Sequence, residues 1–201
     1  MDKELIKGLI AEYQQFVKSV SFVKRAVTLS DNFNYVFVGL RRVGKSYLMY
    51  QQIHHLIETG ISPEEILFFN FEDERIAGMD TEHLDIFFLD EIQIVPHWEQ
   101  FVRRLADQKY RVYVTGSNAK MLSKDIATTL GGRFMIQYVY PFSFREYLSS
   151  NGVQLDKLWI YKNRSEVVRH FDTYFRFGGL PELLVAEGQE KRQWLSSLFN
   201  K

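Results

Sequence analysis

The stretch Tyr35-Val-Phe-Val-Gly-Leu-Arg-Arg-Val-Gly-Lys-Ser46 is the most informative part of the sequence. It begins with four apolar residues, as is typical of a strand buried on both faces, and continues into a loop with glycines at positions 39 and 44. From Ser46 to Ile57 apolar side chains then recur at helical spacing. A strand, a glycine loop and a helix in this order indicate an α/β fold with a parallel sheet.

The glycine loop matches the pattern G-x-x-x-x-G-K-[ST], which is typical of a phosphate-binding loop. The glycines let the backbone curl so that successive amide N–H groups point at phosphate oxygens. Lys45 would reach the β and γ phosphates, Ser46 would give its hydroxyl to Mg²⁺, and the helix adds the positive end of its dipole. We predict that the nucleotide is bound by the whole loop and the residue after it, namely Gly39, Leu40, Arg41, Arg42, Val43, Gly44, Lys45, Ser46 and Tyr47.

Two acidic residues follow the apolar run from Ile86 to Leu89. A parallel sheet delivers such residues to its carboxyl edge, beside the phosphates. We predict that Asp90 binds Mg²⁺ and that Glu91 polarises the attacking water as a general base. The alternative is a capping aspartate with a solvated glutamate. Nucleotide kinases need no glutamate beside the metal aspartate, so Glu91 favours hydrolysis.

Two further polar groups are predicted near the γ-phosphate. The strand Val112-Tyr-Val-Thr-Gly-Ser-Asn118 leads into small polar residues, and we expect Asn118, with Ser117 as the weaker candidate, to hydrogen-bond the phosphate and the water. Capping of the next helix is the alternative for both. Arg133 follows two glycines and could neutralise charge on the γ-phosphate of its own chain or of a neighbour, or be an ordinary surface arginine.

The rest of the chain alternates strand and helix patterns and then becomes helical. We predict further strands at 66–71, 86–89, 111–114 and 134–140, with helices over about the first twenty residues, 98–108 and 119–128. After Pro141 only helical patterns occur, at 144–148, 165–177 and 189–199. We therefore expect a nucleotide-binding core with an N-terminal helix over residues 1–141 and a small helical subdomain over 142–201.

The composition excludes several classes of protein. Lysine plus arginine equals aspartate plus glutamate at 25 each, so the overall charge gives no support for a nucleic-acid partner, which stays possible only as a local patch. The chain has no cysteine and no run of about 18 apolar residues, so we expect a cytoplasmic protein without a membrane span. The scattered histidines predict no zinc site.

Several motifs together resemble the AAA-type prokaryotic ATPase family. They are the glycine loop, Phe88-Leu-Asp-Glu-Ile-Gln93, Thr115-Gly-Ser-Asn118, Gly132-Arg133, Pro141-Phe-Ser-Phe-Arg-Glu-Tyr147 and Gly178-Gly-Leu-Pro181. The resemblance implies an AAA+ P-loop NTPase core, a three-layer sandwich with sheet order 5-1-4-3-2, and a helical lid. It also implies that Asn118 is sensor 1 and Arg133 the arginine finger. Members usually continue into a C-terminal nuclease-like domain, and this chain stops before one could be completed, so we expect a piece of a longer protein.

We therefore predict an ATPase with ATP and Mg²⁺ as cofactors, whose turnover drives a conformational change in an attached domain or an unknown protein partner. ATP and ADP are the expected ligands, since no Asn-Lys-x-Asp stretch for guanine occurs. A homo-oligomer in which Arg133 acts in trans is a further expectation. The first alternative is an ATP-binding signalling switch or scaffold with little turnover. The second is a phosphotransferase with a small acceptor, which the pair of Asp90 and Glu91 disfavours.

Overall fold

The chain divides into two compact units, each with its own packing. The computed structural model describes residues 3–73, 85–117, 125–153, 155–184, 186 and 188–199. Unit 1 comprises Met1–Phe22, Thr28–Leu40 and Lys45–Val139. Unit 2 comprises Val23–Val27, Arg41–Gly44 and Tyr140–Lys201. The middle of the glycine loop is therefore grouped with unit 2, and its two ends with unit 1.

Unit 1 is built on a five-stranded sheet in which every pair of neighbours is parallel. Its strands are β1 (Asn34–Val38), β2 (Ile66–Asn70), β3 (Ile86–Asp90), β4 (Arg111–Gly116) and β5 (Phe134–Tyr138). Their order is β2-β3-β4-β1-β5. The predicted parallel sheet and the order 5-1-4-3-2 implied by the resemblance are confirmed. β1 lies between β4 and β5, so the loop that follows β1 begins near the middle of the carboxyl edge.

The helices of unit 1 precede the first strand or lie in the connections between strands. They are α1 (Lys3–Ser19), α2 (Lys45–Glu58), α3 (Trp98–Asp107) and α4 (Asp125–Thr129), with single 3-10 turns at Pro63–Glu65 and Ile92–Ile94. Most of the helix predicted at 119–128 lies outside the described residues. The described part, α4, ends one residue later than predicted.

The two faces of the sheet are covered by different side chains, as the two-residue period of a strand requires. One face presents apolar side chains such as Val36, Leu89 and Val114 to α3 and α4. The opposite face carries a stack of aromatic rings, in which Tyr113 lies 4.4 Å from Phe88 between ring centroids. With helices packed on it, the buried sheet forms the predicted α/β sandwich and holds the carboxyl ends of its strands at one edge.

Over the described residues of unit 2, the regular secondary structure is helical. It contains α5 (Phe144–Ser150), α6 (Lys157–Lys162), α7 (Arg164–Phe177), a 3-10 turn at Pro181–Leu184 and α8 (Gly188–Phe199). The short α6 was not predicted. Its six residues are too few to show helical periodicity, and its N-cap is Asp156, whose side chain accepts a hydrogen bond from Trp159 N. Across both units, none of the helices in the described ranges is long and apolar enough to cross a membrane.

Two glycines in unit 2 join α7 to the following turn. Gly178 has a φ of 75°, a left-handed conformation that favours glycine. Gly179 packs so closely on the main chain of Phe142 that a Cβ atom there would overlap the Phe142 carbonyl. Its own carbonyl accepts a hydrogen bond of 2.7 Å from Phe142 N. This backbone contact therefore anchors the Gly-Gly turn to the segment that leads into α5.

Candidate functional site

Lys45 is the first residue of α2 and lies at the end of the glycine loop. Its side chain is buried, with 4% of the residue exposed, and its ammonium donates to the carbonyls of Gly39 at 3.3 Å and Leu40 at 3.0 Å. Gly44, just before it, has a φ of 92°, which a residue with a Cβ rarely adopts. The loop thus curls back over the lysine, and the positive charge is held at the start of a helix, where anions bind.

Asp90 ends β3 and is almost fully buried, with 3% of the residue exposed. Burial raises the pKa of Asp90 from 3.8 to about 6. Hydrogen bonds from Thr115 and Ser46 act in the opposite direction, as does the charge of Lys45, whereas the charge of Glu91 adds to the increase. Thr115 Oγ1 donates to Asp90 Oδ1 at 2.5 Å. A carboxylate that is costly to bury without a cation suits a metal site.

Glu91 follows Asp90 in a left-handed backbone conformation, with φ 53°. Its amide N–H donates to Thr115 Oγ1 at 2.9 Å, so one threonine hydroxyl contacts both acidic residues. Its carboxylate accepts hydrogen bonds from Gln93 Nε2 at 2.6 Å and Ser117 Oγ at 3.0 Å. A left-handed conformation is uncommon outside glycine and is found at functional sites. The glutamate is therefore held in one position at the sheet edge.

The oxygen donors of this edge fit Mg²⁺. Ser46 hydrogen-bonds to Asp90, which places a hydroxyl and a carboxylate together. Mg²⁺ takes few protein ligands and completes its shell with water and phosphate oxygens. Among the described residues, no group of three or more His, Cys, Asp or Glu side chains could hold a metal ion. These residues therefore form no metal site that is built from protein ligands alone. The structure brings Ser46 and Asp90 together, and their binding of Mg²⁺ stays a prediction.

The structure does not bring Arg133 to the glycine loop of its own chain. Arg133 directly precedes β5, whose first residue pairs with Asn34 at the start of β1. The loop begins after the far end of β1, five residues or about 17 Å away. Arg133 Nε instead pairs with Asp107 Oδ1 at 2.6 Å. This placement argues against action on the phosphates of the same chain, and action on a neighbouring chain and an ordinary surface arginine both stay open.

The other predicted residues differ in where they lie. Asn118 is outside the described residues. Ser117 contacts Glu91, as given above. Tyr47 is 51% exposed, and its ring meets that of Tyr50 at 5.5 Å between centroids. Leu40 and Arg41 are exposed at the surface of the loop.

Arg42, in the middle of the loop, is held by other parts of unit 2. Its backbone has a φ of 63°, and its guanidinium pairs with Glu182 at 3.0 Å. The guanidinium also lies over the ring of Trp194, 5.5 Å from the centroid. The left-handed turn of the loop therefore has side-chain support from the turn after α7 and from α8.

Arg25 supports the same part of the loop and was missed by the sequence reasoning. It is 7% exposed, donates to the Val43 carbonyl at 3.2 Å and pairs with Glu146 at 3.0 Å. Burial opposes ionisation of Glu146, yet hydrogen bonds from Ser143 and Ala26 and the charge of Arg25 lower its pKa. Arg25 stands in no recognisable motif, and nothing in the sequence separates it from a surface arginine.

A parallel sheet in the order 5-1-4-3-2, with a glycine loop of the P-loop pattern after β1 and an Asp-Glu pair at the end of β3, is the arrangement of an AAA+ P-loop nucleotide-binding ATPase. Residues 31–148 match a family model described as AAA domain. Since the match covers more than half of the chain, the chain belongs to this AAA domain family.

Two curated relatives extend beyond the chain. An uncharacterized protein of Methanocaldococcus jannaschii is 30% identical over 217 residues, which cover 98% of this chain and 48% of the relative. An uncharacterized protein of Haemophilus influenzae is 32% identical over 197 residues, with 90% and 48% covered. The chain thus spans about half the length of both.

Solved structures with a related arrangement have low sequence identity. AMPPCP-bound DnaA from Aquifex aeolicus is 11% identical with a TM-score of 0.44, covering 100% of this chain and 67% of DnaA. The Hsp104–ADP complex of S. cerevisiae is 15% identical with a TM-score of 0.44, covering 73% of this chain and 23% of Hsp104.

Proposed function

We propose that the chain binds ATP with Mg²⁺ and hydrolyses it to ADP and phosphate. The observation that carries the proposal is the Glu91 carboxylate, held by two hydrogen bonds next to the buried Asp90. A general base needs a fixed position within reach of the water it deprotonates. The neighbouring lysine and helix start supply the positive field for a polyphosphate.

Each residue has one task in this mechanism. Lys45 binds the β and γ phosphates and offsets their charge, and Ser46 and Asp90 hold Mg²⁺. When bound, Mg²⁺ neutralises charge on the phosphate oxygens. Glu91 accepts a proton from the water that attacks the γ-phosphate. Thr115 keeps the two acidic residues in register by donating to one and accepting from the other.

Binding and hydrolysis are tested separately. Lys45→Met is expected to weaken ATP binding, measured by fluorescence of a labelled nucleotide, because the buried ammonium is lost. Glu91→Gln is expected to keep ATP affinity and to lower phosphate release about 100-fold or more. Glu65→Gln, an exposed glutamate before β2, is the matched control. Equal phosphate release by wild type and Glu91→Gln would remove hydrolysis from the proposal, and unchanged binding by Lys45→Met would remove the site.

The position of Arg133 supports a second element of the proposal, a homo-oligomer. An arginine at the amino edge of the sheet is too far from its own phosphates but is exposed enough, at 41% of its side chain, to reach a neighbouring copy once it leaves Asp107. An arginine supplied in trans can raise phosphoryl-transfer rates by about 10³-fold or more. An isolated chain is then a slow ATPase, close to the alternative of an ATP-binding switch.

Mixing two inactive variants tests this arrangement. Arg133→Ala lacks the donated arginine and Glu91→Gln lacks the base, so a mixed assembly contains some sites with both groups. We expect phosphate release by the mixture to exceed the sum of the two separate variants. Asp107→Ala, which only frees Arg133, is the control and is expected to retain activity. A mixture no more active than its components would contradict action in trans.

A third element of the proposal is that ATP turnover drives a conformational change in an attached domain or protein partner. Its support is the Arg42 contact with Glu182 and Trp194, because Arg42 belongs to the loop expected to bind phosphate. We expect the fluorescence of Trp194 to change when ATP binds. The same titration with Arg42→Met, which removes the guanidinium over the ring, should show a smaller change, and equal changes would contradict this coupling.

A further inference from the structure

Arg25 is a buried arginine whose guanidinium contacts both the glycine loop and the segment that leads into α5. Its Nη1 donates to the Val43 carbonyl at 3.2 Å, and its Nη2 donates to the Tyr140 carbonyl at 2.5 Å. Its Nε pairs with Glu146 Oε1 at 3.0 Å, and the guanidinium lies over the Phe142 ring, 4.8 Å from the centroid. All five residues belong to unit 2, and these contacts join its three chain segments.

The hydrogen bond from Arg25 fixes the peptide group between Val43 and Gly44. This peptide group is trans, so its C=O and its N–H point in opposite directions. Because the carbonyl faces the guanidinium, the Gly44 N–H points away from it. Gly44 has a φ of 92° and no side chain, so glycine by itself would let the peptide group turn over. A fixed donor to the Val43 carbonyl removes this freedom.

The direction of the Gly44 N–H matters because a loop of this pattern binds phosphates through its main chain. Successive N–H groups of the loop contact the α and β phosphates, and Gly44 lies directly before Lys45 in this series. A hydrogen bond from an N–H to a charged oxygen is stronger than one between neutral groups. If the peptide group turned over, the Val43 carbonyl oxygen would face the phosphates and repel them. The orientation of one peptide group therefore affects the affinity for the nucleotide.

The motif Pro141-Phe-Ser-Phe-Arg-Glu-Tyr147 supplies the carboxylate that holds Arg25 in place. Glu146 Oε2 accepts hydrogen bonds from the N–H and the hydroxyl of Ser143, the N-cap of α5, at 2.8 and 2.9 Å. Glu146 Oε1 accepts from Arg25 Nε and from the Ala26 N–H at 3.0 and 3.1 Å. With 7% and 11% of their side chains exposed, Arg25 and Glu146 form a pair that water screens little. The start of α5 thus fixes the arginine that holds the loop.

We propose that Arg25 is a positioning residue for phosphate binding, which keeps the Gly44 N–H directed at the α and β phosphates, an inference that rests on the proposed ATP binding. Arg25 acts through the Val43 carbonyl and does not contact the nucleotide itself. The motif 141–147 has the task of fixing the arginine. This role concerns the affinity for nucleotides and not the transfer of the γ-phosphate.

The first test measures affinity and rate separately in Arg25→Met, a variant of similar length without the guanidinium. We expect the affinity for ADP, measured by calorimetry, to fall about 10-fold or more, because a hydrogen bond to a charged group is lost. Phosphate release at saturating ATP should fall less than about threefold, because Glu91 keeps its position. Arg169→Met, at an exposed arginine of α7, is the matched control and should leave both values unchanged. Unchanged ADP affinity in Arg25→Met would overturn the inference.

A double variant separates positioning from stability. Arg25→Met leaves Glu146 as a buried charge without its cation, so its Tm is expected to fall. Arg25→Met combined with Glu146→Gln removes both charges and should recover part of the Tm, because neutral groups often replace a buried ion pair at little cost. Its ADP affinity should stay as low as that of Arg25→Met. Recovery of the ADP affinity together with the Tm would show that Arg25 acts only through folding and would overturn the inference.

A ligand-free measurement tests the peptide group itself. Valine precedes glycine at two places in the chain, 38–39 and 43–44. Valine labelled with ¹³C at the carbonyl and glycine labelled with ¹⁵N therefore give two signals in an HNCO spectrum. We expect the signal of residues 43 and 44 to move in Arg25→Met and to stay in place in Arg169→Met, and an unmoved signal in Arg25→Met would overturn the inference.

Failure of this role and failure of the proposed function give different results. Wild type that binds neither ATP nor ADP would overturn both. Wild type that binds ADP, with the same affinity in Arg25→Met, would overturn the role of Arg25 and leave ATP binding in place.

Discussion

Replacing Asp90 by asparagine is expected to stabilise the ligand-free protein near neutral pH while removing its response to Mg²⁺. The side chain is almost fully buried, and its pKa is raised from 3.8 to about 6. The ionised carboxylate is therefore less favourable in the folded state than in the unfolded state. Asparagine has a similar shape and no charge, so this penalty disappears.

The size of the effect follows from the two pKa values. Well below pH 3.8 the carboxyl is protonated in both states and has no effect on stability. Between pH 3.8 and about 6 the unfolded chain ionises first, so stability falls as pH rises. Above pH 6 the penalty is constant at about 3 kcal/mol. Imperfect hydrogen bonds of the asparagine to Thr115 and Ser46 offset about 1 kcal/mol of the gain.

The assay is urea unfolding in EDTA at two pH values. At pH 8 we expect Asp90→Asn to be more stable than wild type by about 2 kcal/mol, or about 4–8 °C in Tm. At pH 5 the difference should be less than about 1 kcal/mol, because part of the wild-type carboxyl is protonated. Asp85→Asn, an exposed residue immediately before the same strand, is the control and should match wild type at both pH values.

Two results would refute this reasoning. One is a variant that is less stable than wild type at pH 8, and the other is a stabilisation that is equal at both pH values. Addition of Mg²⁺ and ATP should raise the Tm of wild type by mass action. Asp90→Asn should lose the Mg²⁺-dependent part of that increase, because its side chain no longer offers a carboxylate to the metal.

Three other substitutions test the supports of the site. Arg25→Met should reduce the free energy of unfolding by about 3 kcal/mol, since it leaves the buried Glu146 without its cation. Arg25→Lys should recover part of this stability. An Arg25→Met variant as stable as wild type would contradict the role of the pair. Gly179→Ala should reduce the free energy of unfolding by about 1–3 kcal/mol through overlap with the Phe142 carbonyl, whereas Gly8→Ala, where a Cβ meets no atom within 4 Å, is the control and should cause no loss of stability. Thr115→Val should lower both stability and phosphate release, because two buried groups lose a partner; a loss of stability without a loss of rate would contradict its role in the site.

The core of the fold could be predicted because its signals are local. A buried parallel strand is a continuous apolar run, and each of the five runs, including 86–89 and 111–114, became a strand. The ends of the strands were harder to predict, because the hydrogen bonds between neighbouring strands, and not the side chains, determine where a strand stops. The run predicted to reach residue 140 ends at Tyr138, close to Pro141, which has no N–H to donate.

Contacts between side chains that are far apart in the sequence could not be predicted in the same way. The hydroxyl of Thr115 meets both acidic residues only because β3 and β4 are neighbours in a defined register, with Leu89 opposite Val114. The contact of Arg25 with Glu146 joins residues that are 121 positions apart. No periodicity or short motif contains information about such pairs.

Spacing along the chain was enough to predict the class of fold, the glycine loop after the first strand and the two acidic residues at the end of the third strand. These features depend on spacing along the chain, and spacing is what a sequence records. The folded chain was needed to show that Arg133 lies at the edge of the sheet away from its own loop. It was also needed to show that Gln93 Nε2 contacts Glu91 while Gln93 Oε1 has no hydrogen-bond partner among the described residues. Those facts depend on strand register and side-chain orientation, which arise when distant segments pack together.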